Sequence, residues 1–181
     1  MTCIVALKHG DKIFMGADSA AFKDDEVIDR ADKKVFRLGE FLIGFSGSFR
    51  VGQIVQWGFN PPKYNSDRSI MHYMVCDFVD QLRNTLDCRG ALLKDDKGDN
   101  FDADLVVAFR GNIFTIEADF NVSLKVGDYT SSGSGTPYAL GALYILKDLN
   151  MSPEEKVRAA LLASSNYCPS VREPFNILSV P

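Results

Sequence analysis

The order of the apolar runs constrains this chain most. Strand-like segments come in blocks, and helical segments come in blocks between them. Thr2–Lys8 is rich in β-branched residues, His9-Gly10-Asp11 reads as a turn, and Lys12–Ser19 reads as the partner strand. Ala20–Ala31 is polar and irregular. Lys34–Leu38 and Glu40–Phe45 make a second strand pair around Gly39, followed by a small-residue turn, Gly44-Phe-Ser-Gly-Ser48, and a helix over Phe49–Trp57. A loop with Pro61 and Pro62 leads to a long amphipathic helix from Ser69 to Cys88. Ile70, Met74, Phe78, Leu82 and Leu86 recur in it at helical spacing. Lys94–Asn100 reads as a charged turn. Leu105–Phe109 and Asn112–Glu117 make a hairpin about Arg110-Gly111, and strand material continues to Thr130. After the small-residue run Ser131–Gly135, Thr136 reads as the cap of a helix with Pro137 at its first position. Ser152-Pro-Glu-Glu155 has the form of a capping box opening a last helix to Ser165. Phe175–Val180 closes as a strand. Segregated blocks of this kind predict an α+β fold with antiparallel sheets covered by helices.

Length and composition narrow the function classes. At 181 residues the chain reads as one domain over 1–181. A net charge of −4, with no basic run, argues against a nucleic-acid partner. No apolar stretch approaches membrane-spanning length, and Thr2–Leu7 is too short for a secretory signal, so the expected location is the cytoplasm. Cys3, Cys76, Cys88 and Cys168 show no paired spacing, and His9 and His72 are the two histidines. Four reduced thiols, with no metal and no cofactor, is the reading.

The residue that points to chemistry is Thr2. A small second residue suits removal of Met1, which would leave a chain beginning with a hydroxyl beside a free α-amine. Such an amine has an intrinsic pKa near ~8 and can serve as a base near neutrality. A hydroxyl next to it is an activated nucleophile. Four further features stand in order behind it: Asp18 in Met15-Gly-Ala-Asp-Ser19, Lys34 in Asp32-Lys-Lys-Val-Phe36, Gly47 in Gly44-Phe-Ser-Gly47, and Ser134 in Gly133-Ser-Gly-Thr-Pro137.

With these residues in this order, the chain resembles a proteasome β-type subunit of the N-terminal-nucleophile hydrolases, nearest to the bacterial HslV-like branch. The resemblance runs from Thr2 to about Ser165. It implies a four-layer αββα sandwich with two antiparallel sheets, the helices near 49–57 and 69–88 on one side and those near 136–149 and 153–165 on the other. It implies a threonine endopeptidase in which Thr2 is the nucleophile and its own amine the base. Lys34 pairs with Asp18, Ser134 stands near the amine, and the Gly47 N–H, after a one-residue gap, meets the oxyanion. It also implies partners: identical subunits in a ring of six or seven, doubled, an ATPase unfoldase, and an unfolded polypeptide as substrate. The sequence departs from the family pattern at Ala20, where many members carry arginine, and at Asn166, where an aspartate is usual. Asn166 keeps an acceptor and loses the charge. The Pro169–Pro174 stretch does not match the expected small-residue turn. Asn166 leaves a non-catalytic ring or scaffold subunit as the alternative. Finally, the 69–88 helix carries apolar residues over more than one stripe, with Tyr73 and Cys76 beside the main one. That width suggests burial between subunits, or else a groove under the Phe59–Asp67 loop.

Overall fold

The computed structural model describes residues 2–23, 26–28, 30–96 and 98–181. Met1 therefore lies outside the described residues. The opening hairpin pairs β1 (Ile4–His9) with β2 (Lys12–Ala17), Ile4 opposite Ala17 and His9 opposite Lys12. Two short strands, β3 (Ala21–Lys23) and β4 (Glu26–Ile28), then pair with each other where the sequence reads as irregular. Asp24, Asp25 and Asp29 of that segment lie outside the described residues. Strands of three residues, Ala21-Phe-Lys23 and Glu26-Val-Ile28, are too short to display an apolar alternation, which is why the pairing leaves no trace in the pattern.

Next come β5 (Val35–Leu38), β6 (Phe41–Gly47) and α1 (Phe49–Gly58). The predicted small-residue turn at Gly44–Ser48 is instead the end of β6. Pairing with the later strand β9 (Ala103–Phe109) continues to Gly47 opposite Ala103, so partners rather than propensity extend it. The long helix is present in three phases: α2 (Ile70–His72), a π-helical stretch over Tyr73–Phe78, and α3 (Val79–Cys88). Ser69 caps it, its Oγ accepting from His72 N at 3.2 Å.

The π stretch accounts for part of this helix's wide apolar surface. Wider winding rotates the following turn, so Tyr73, Met74, Phe78, Val79, Leu82 and Leu86 all reach one core. Tyr73, placed outside the main stripe by an ideal 3.6-residue period, is fully buried, and its hydroxyl donates to the Pro62 carbonyl at 2.6 Å. The Tyr73 part of the width is thus spent inside the subunit, under the proline loop, while Val75 and Cys76 on the same stretch stay exposed.

The charged turn forms a hairpin of β7 (Leu93–Asp95) and β8 (Gly98–Asn100); Lys97 lies outside the described residues. Then β9 pairs with β10 (Asn112–Ile116), and β11 (Val122–Leu124) and β12 (Tyr129–Ser132) follow. Ser131 and Ser132, read in the sequence as part of a small-residue run, are strand residues. α4 (Thr136–Leu146) begins after Gly135, which takes the cap position without a side-chain bond. Thr136 lies inside the helix rather than at its cap. α5 (Pro153–Tyr167) opens with the predicted capping box, and β13 (Asn176–Val180) ends the chain. In the box, Glu155 N donates to Ser152 Oγ at 3.3 Å, and Ser152 N donates to Glu155 Oε2 at 2.8 Å.

Two antiparallel sheets result, one ordered β12-β1-β2-β13 and the other β11-β10-β9-β6-β5. They face each other across Ile4, Ala6, Met15, Val35, Leu42 and Val106. Alternate residues of the same strands point outward. Val5 and Leu7 meet Leu143, Val157 and Leu161 of α4 and α5. Leu105, Val107 and Phe109 meet Ile54, Phe78 and Leu82 of the other helix layer. Strands β1 and β9 are covered on both faces, so they read as continuous apolar runs. This is the expected αββα order. Among the described residues no helix is long and apolar enough to cross a membrane.

Candidate active site

The site forms where strand ends converge. Register fixes this: Ile4 lies opposite both Ala17 and Ser132, so Thr2, Asp18 and the β12–α4 turn fall at one edge. Lys34 immediately precedes β5 and Gly47 ends β6, at the same edge of the facing sheet. Thr2, Asp18 and Lys34 are 2%, 1% and 2% exposed, which is unusual for two charged groups and a hydroxyl.

Burial of the charges is compensated by geometry. Lys34 Nζ donates to Asp18 Oδ2 at 2.9 Å. The carboxylate also accepts from Cys3 N at 2.9 Å on Oδ1 and from Ala20 N at 3.0 Å on Oδ2. Burial pushes the Lys34 ammonium below the usual lysine value, and the charge and hydrogen bond of Asp18 pull it part of the way back. Because Asp18 anchors the backbone at Cys3, it ties the lysine directly to the strand that carries Thr2.

The other side of Thr2 is held by the β12–α4 turn. Thr2 N donates to Ser134 Oγ at 3.2 Å, and the Thr2 carbonyl accepts from Gly135 N at 3.1 Å and lies 3.3 Å from Ser134 Oγ. Such an approach needs glycine. Gly133 has φ +95°, and a Cβ there would collide with the Thr2 carbonyl. Gly47 has φ +108°, and a Cβ would lie 2.7 Å from the Asp102 carbonyl and 2.8 Å from Ala103 Cα. A cleft of about 320 Å³ opens on this edge, lined by Thr2, Ser46, Gly47, Asp104, Gly133 and Ser134. A neighbouring depression of about 620 Å³ shares Asp104, Gly133 and Ser134 and extends it past Thr115 and Glu117. Burial, and the neighbouring Glu117, push the Asp104 carboxyl above the usual carboxylate range. Cys3 points away, to the helix layer, where its Sγ is 3.4 Å from Ser164 Oγ.

Asn166 is the expected site residue that the fold does not bring in. It lies on the exposed side of α5, its Nδ2 donating to the Leu162 carbonyl of its own helix at 3.0 Å. Two residues earlier, Ser164 is fully buried and donates to the Gly135 carbonyl at 3.0 Å. At about 100° per residue, a helix with Ser164 inward must turn Asn166 outward. Ser170 stands at Ser134 instead, Oγ to Oγ at 2.9 Å, with the Cys168 thiol beside both. The sequence reading missed these two. Ser170 lay in the stretch that departs from the family pattern, and Cys168 had no partner at motif spacing.

Two facing antiparallel sheets between helix layers, with a buried threonine at their common edge, define an HslV-like proteasome β-type fold. No family model matches the chain. It is 25% identical over 171 residues to the ATP-dependent protease subunit HslV of Caldicellulosiruptor saccharolyticus, covering 92% of this chain and 91% of that one. It is 27% identical over 171 residues to the subunit of the same name from Cytophaga hutchinsonii, covering 92% and 89%. Among solved structures, Thiobacillus denitrificans BPH in complex with epoxomicin superposes with a TM-score of 0.82 at 20% identity, over 98% of this chain and 97% of that one. Eukaryotic HslV from Trypanosoma brucei gives 0.72 at 18% identity, over 98% of each.

Proposed function

We propose that this chain, a single domain over 1–181, is the threonine endopeptidase subunit of a self-compartmentalising ring protease, active once Met1 is removed. Thr2 Oγ attacks the scissile carbonyl carbon while the Thr2 α-amine takes its proton through a water. The new C–O bond forms, the carbonyl electrons move to oxygen, and the oxyanion meets the Gly47 N–H. Collapse breaks the C–N bond, and the leaving amine takes the proton back. Water then hydrolyses the ester on Thr2 in the reverse sense. Lys34 favours the alkoxide by its charge, and Asp18 holds Lys34 in place. Ser134 orients the amine.

The observation that carries this reading is the buried Lys34–Asp18 pair anchored to the backbone next to Thr2. A desolvated pair is weak evidence for stability, since a packed apolar pair would serve the core as well. Next to a potential nucleophile it has a chemical use. The scaffold alternative rested on Asn166, and Asn166 does not face Ser134 in this fold, so that departure no longer favours it.

Assembly follows from the same reading: identical subunits in a ring of six or seven, doubled by stacking, working in the cytoplasm with an ATPase unfoldase that feeds it unfolded polypeptide. Support comes from the large apolar side chains that α4 and α5 leave exposed, Tyr144, Ile145 and Tyr167 at 60%, 64% and 72%, which a second ring would cover. Peptide hydrolysis by the purified protein, compared with Thr2→Ala and Cys3→Ala, tests the chemistry. Activity is expected to vanish with the first and survive the second, and the opposite pattern contradicts the assignment. Light scattering tests the assembly, which a stable monomer at micromolar concentration would contradict.

A further inference from the structure

Ser134 is supported from behind by a turn that the mechanism above does not use. Beyond α5, Cys168 N donates to the Ser164 carbonyl at 2.8 Å, and Val171 N donates back to the Cys168 carbonyl at 3.0 Å. This turn brings Cys168 Sγ to 3.2 Å from Ser170 Oγ and 3.6 Å from Ser134 Oγ. Ser170 Oγ is 2.9 Å from Ser134 Oγ, so the three side chains close a triangle. Its outer corner, Ser134, touches Thr2 N at 3.2 Å. Its inner corners are buried, Cys168 at 8% and Ser170 at 5% exposed.

A hydroxyl has one proton and two lone pairs. At Ser134 one lone pair takes the Thr2 N–H. The Thr2 carbonyl, 3.3 Å away, can only accept, and so it competes for the single Ser134 proton. A donor on the far side of Ser134 settles which way the hydroxyl turns. Cys168 and Ser170 are the groups placed to do that, and the thiol contacts both hydroxyls. We propose that Cys168 is a positioning residue of this site, acting through Ser134 and Ser170 to keep a Ser134 lone pair on the Thr2 nitrogen. The proposal rests on the reading of Thr2 as nucleophile.

Cys168 also packs among Val5, Leu143 and Val171, so a purely structural role has to be separated from a positioning one. Two variants of the full-length protein do this, because the two roles rank them oppositely. Cys168→Val fills the space and has no donor; Cys168→Ser keeps a donor and packs less well. The expected result is that Cys168→Val melts near the wild type and loses roughly tenfold in kcat with KM unchanged, the effect of one lost neutral hydrogen bond. Cys168→Ser should melt lower and recover most of that kcat. In a Ser134→Ala background the Cys168→Val loss should disappear, because the group it acts through is gone. Should Cys168→Val fail to fold, Cys168→Ala is read in the same way. Wild-type kcat in Cys168→Val, or losses that track melting temperature across the variants, would overturn the proposal. Turnover that survives Thr2→Ala would overturn the reading of Thr2 itself. Thr2-dependent turnover indifferent to Cys168→Val overturns the positioning role alone.

Discussion

The two ends of the five-stranded sheet each carry a cavity and an ion pair, and they differ in kind. Where β6 ends, the cleft of about 320 Å³ opens on Thr2, with Lys34 and Asp18 behind it at 1% and 0% side-chain exposure. Where β6 begins and β9 turns at Arg110, a pocket of about 440 Å³ is walled by Phe41, Tyr64, Tyr73 and Phe109. Its ion pair, Arg110 with Glu40 at 3.4 Å, is 50% and 67% exposed. By its aromatic lining, the Arg110 end has more of the character of a ligand pocket. Its hydroxyls, however, are committed: Tyr64 donates to the Arg68 carbonyl at 2.9 Å, and Tyr73 donates to Pro62. The Tyr73 phenol is pushed up to about 12 by burial, with Asp77 and Glu40 adding to it. Such a group neither gives nor takes a proton near neutrality. At the Thr2 end, by contrast, charge is desolvated, paired and tied to a potential nucleophile, which is why the proposed chemistry belongs there.

Substitutions at the two ends should separate accordingly. Lys34→Ala should cut peptide turnover by at least ~10²–10³, in the range for loss of one preorganised electrostatic group. It should also cost about 3–5 kcal/mol in denaturant unfolding, because Asp18 is left buried and unpaired. Gly47→Ala comes next. Its Cβ meets the Asp102 carbonyl at 2.7 Å and its φ is +108°, so strain of about 1–3 kcal/mol and reduced turnover are expected together. Near-wild-type stability and rate in this variant would mean that the β6 end tolerates what the backbone geometry forbids.

A pH titration gives a smaller effect with a distinctive sign. Burial sets the folded Lys34 below its ordinary 10.5, with Asp18 opposing. Between the folded and unfolded values the unfolded chain holds more protons, so Lys34's share of the stability rises with pH there. Turnover should fall over the same window, as the ammonium beside Thr2 is lost. The difference between wild type and Lys34→Met isolates this share, and a stability difference that moves in parallel with turnover would contradict it. The smallest effect is expected from Arg110→Ala: at most ~1 kcal/mol, as for exposed pairs, with turnover unchanged. A rate loss there approaching that of Lys34→Ala would dissolve the distinction between the two ends.

The legible parts of this molecule are those governed by local rules. The opening hairpin, the Ser152–Glu155 capping box and the Arg110-Gly111 turn follow from short-range chemistry, and all appear at the expected residues. Thr2, Asp18, Lys34, Gly47 and Ser134 were found by matching their order to a family pattern, and register does gather them at one edge. What stayed hidden depends on phase and on distant partners. The π stretch over Tyr73–Phe78 is invisible to a 3.6-residue period, so buried residues had the pattern of surplus surface. Asn166 matches the family's aspartate in sequence, but the facing of α5 is set by Ser164 against Gly135. Cys168 and Ser170 meet Ser134 across 34 and 36 residues of sequence, a contact that no local pattern announces.

The central claim is that Thr2 is the nucleophile and that its own nitrogen is the base. Mass spectrometry of the N-terminal peptide after exposure to an epoxyketone tests both at once, because that electrophile requires the hydroxyl and a free amine on the same residue. The account predicts a chain beginning at Thr2, an adduct confined to Thr2, and no adduct in Lys34→Ala over the same exposure. A chain that keeps Met1 and stays unmodified while hydrolysing peptides, or an adduct on Cys3, would contradict it.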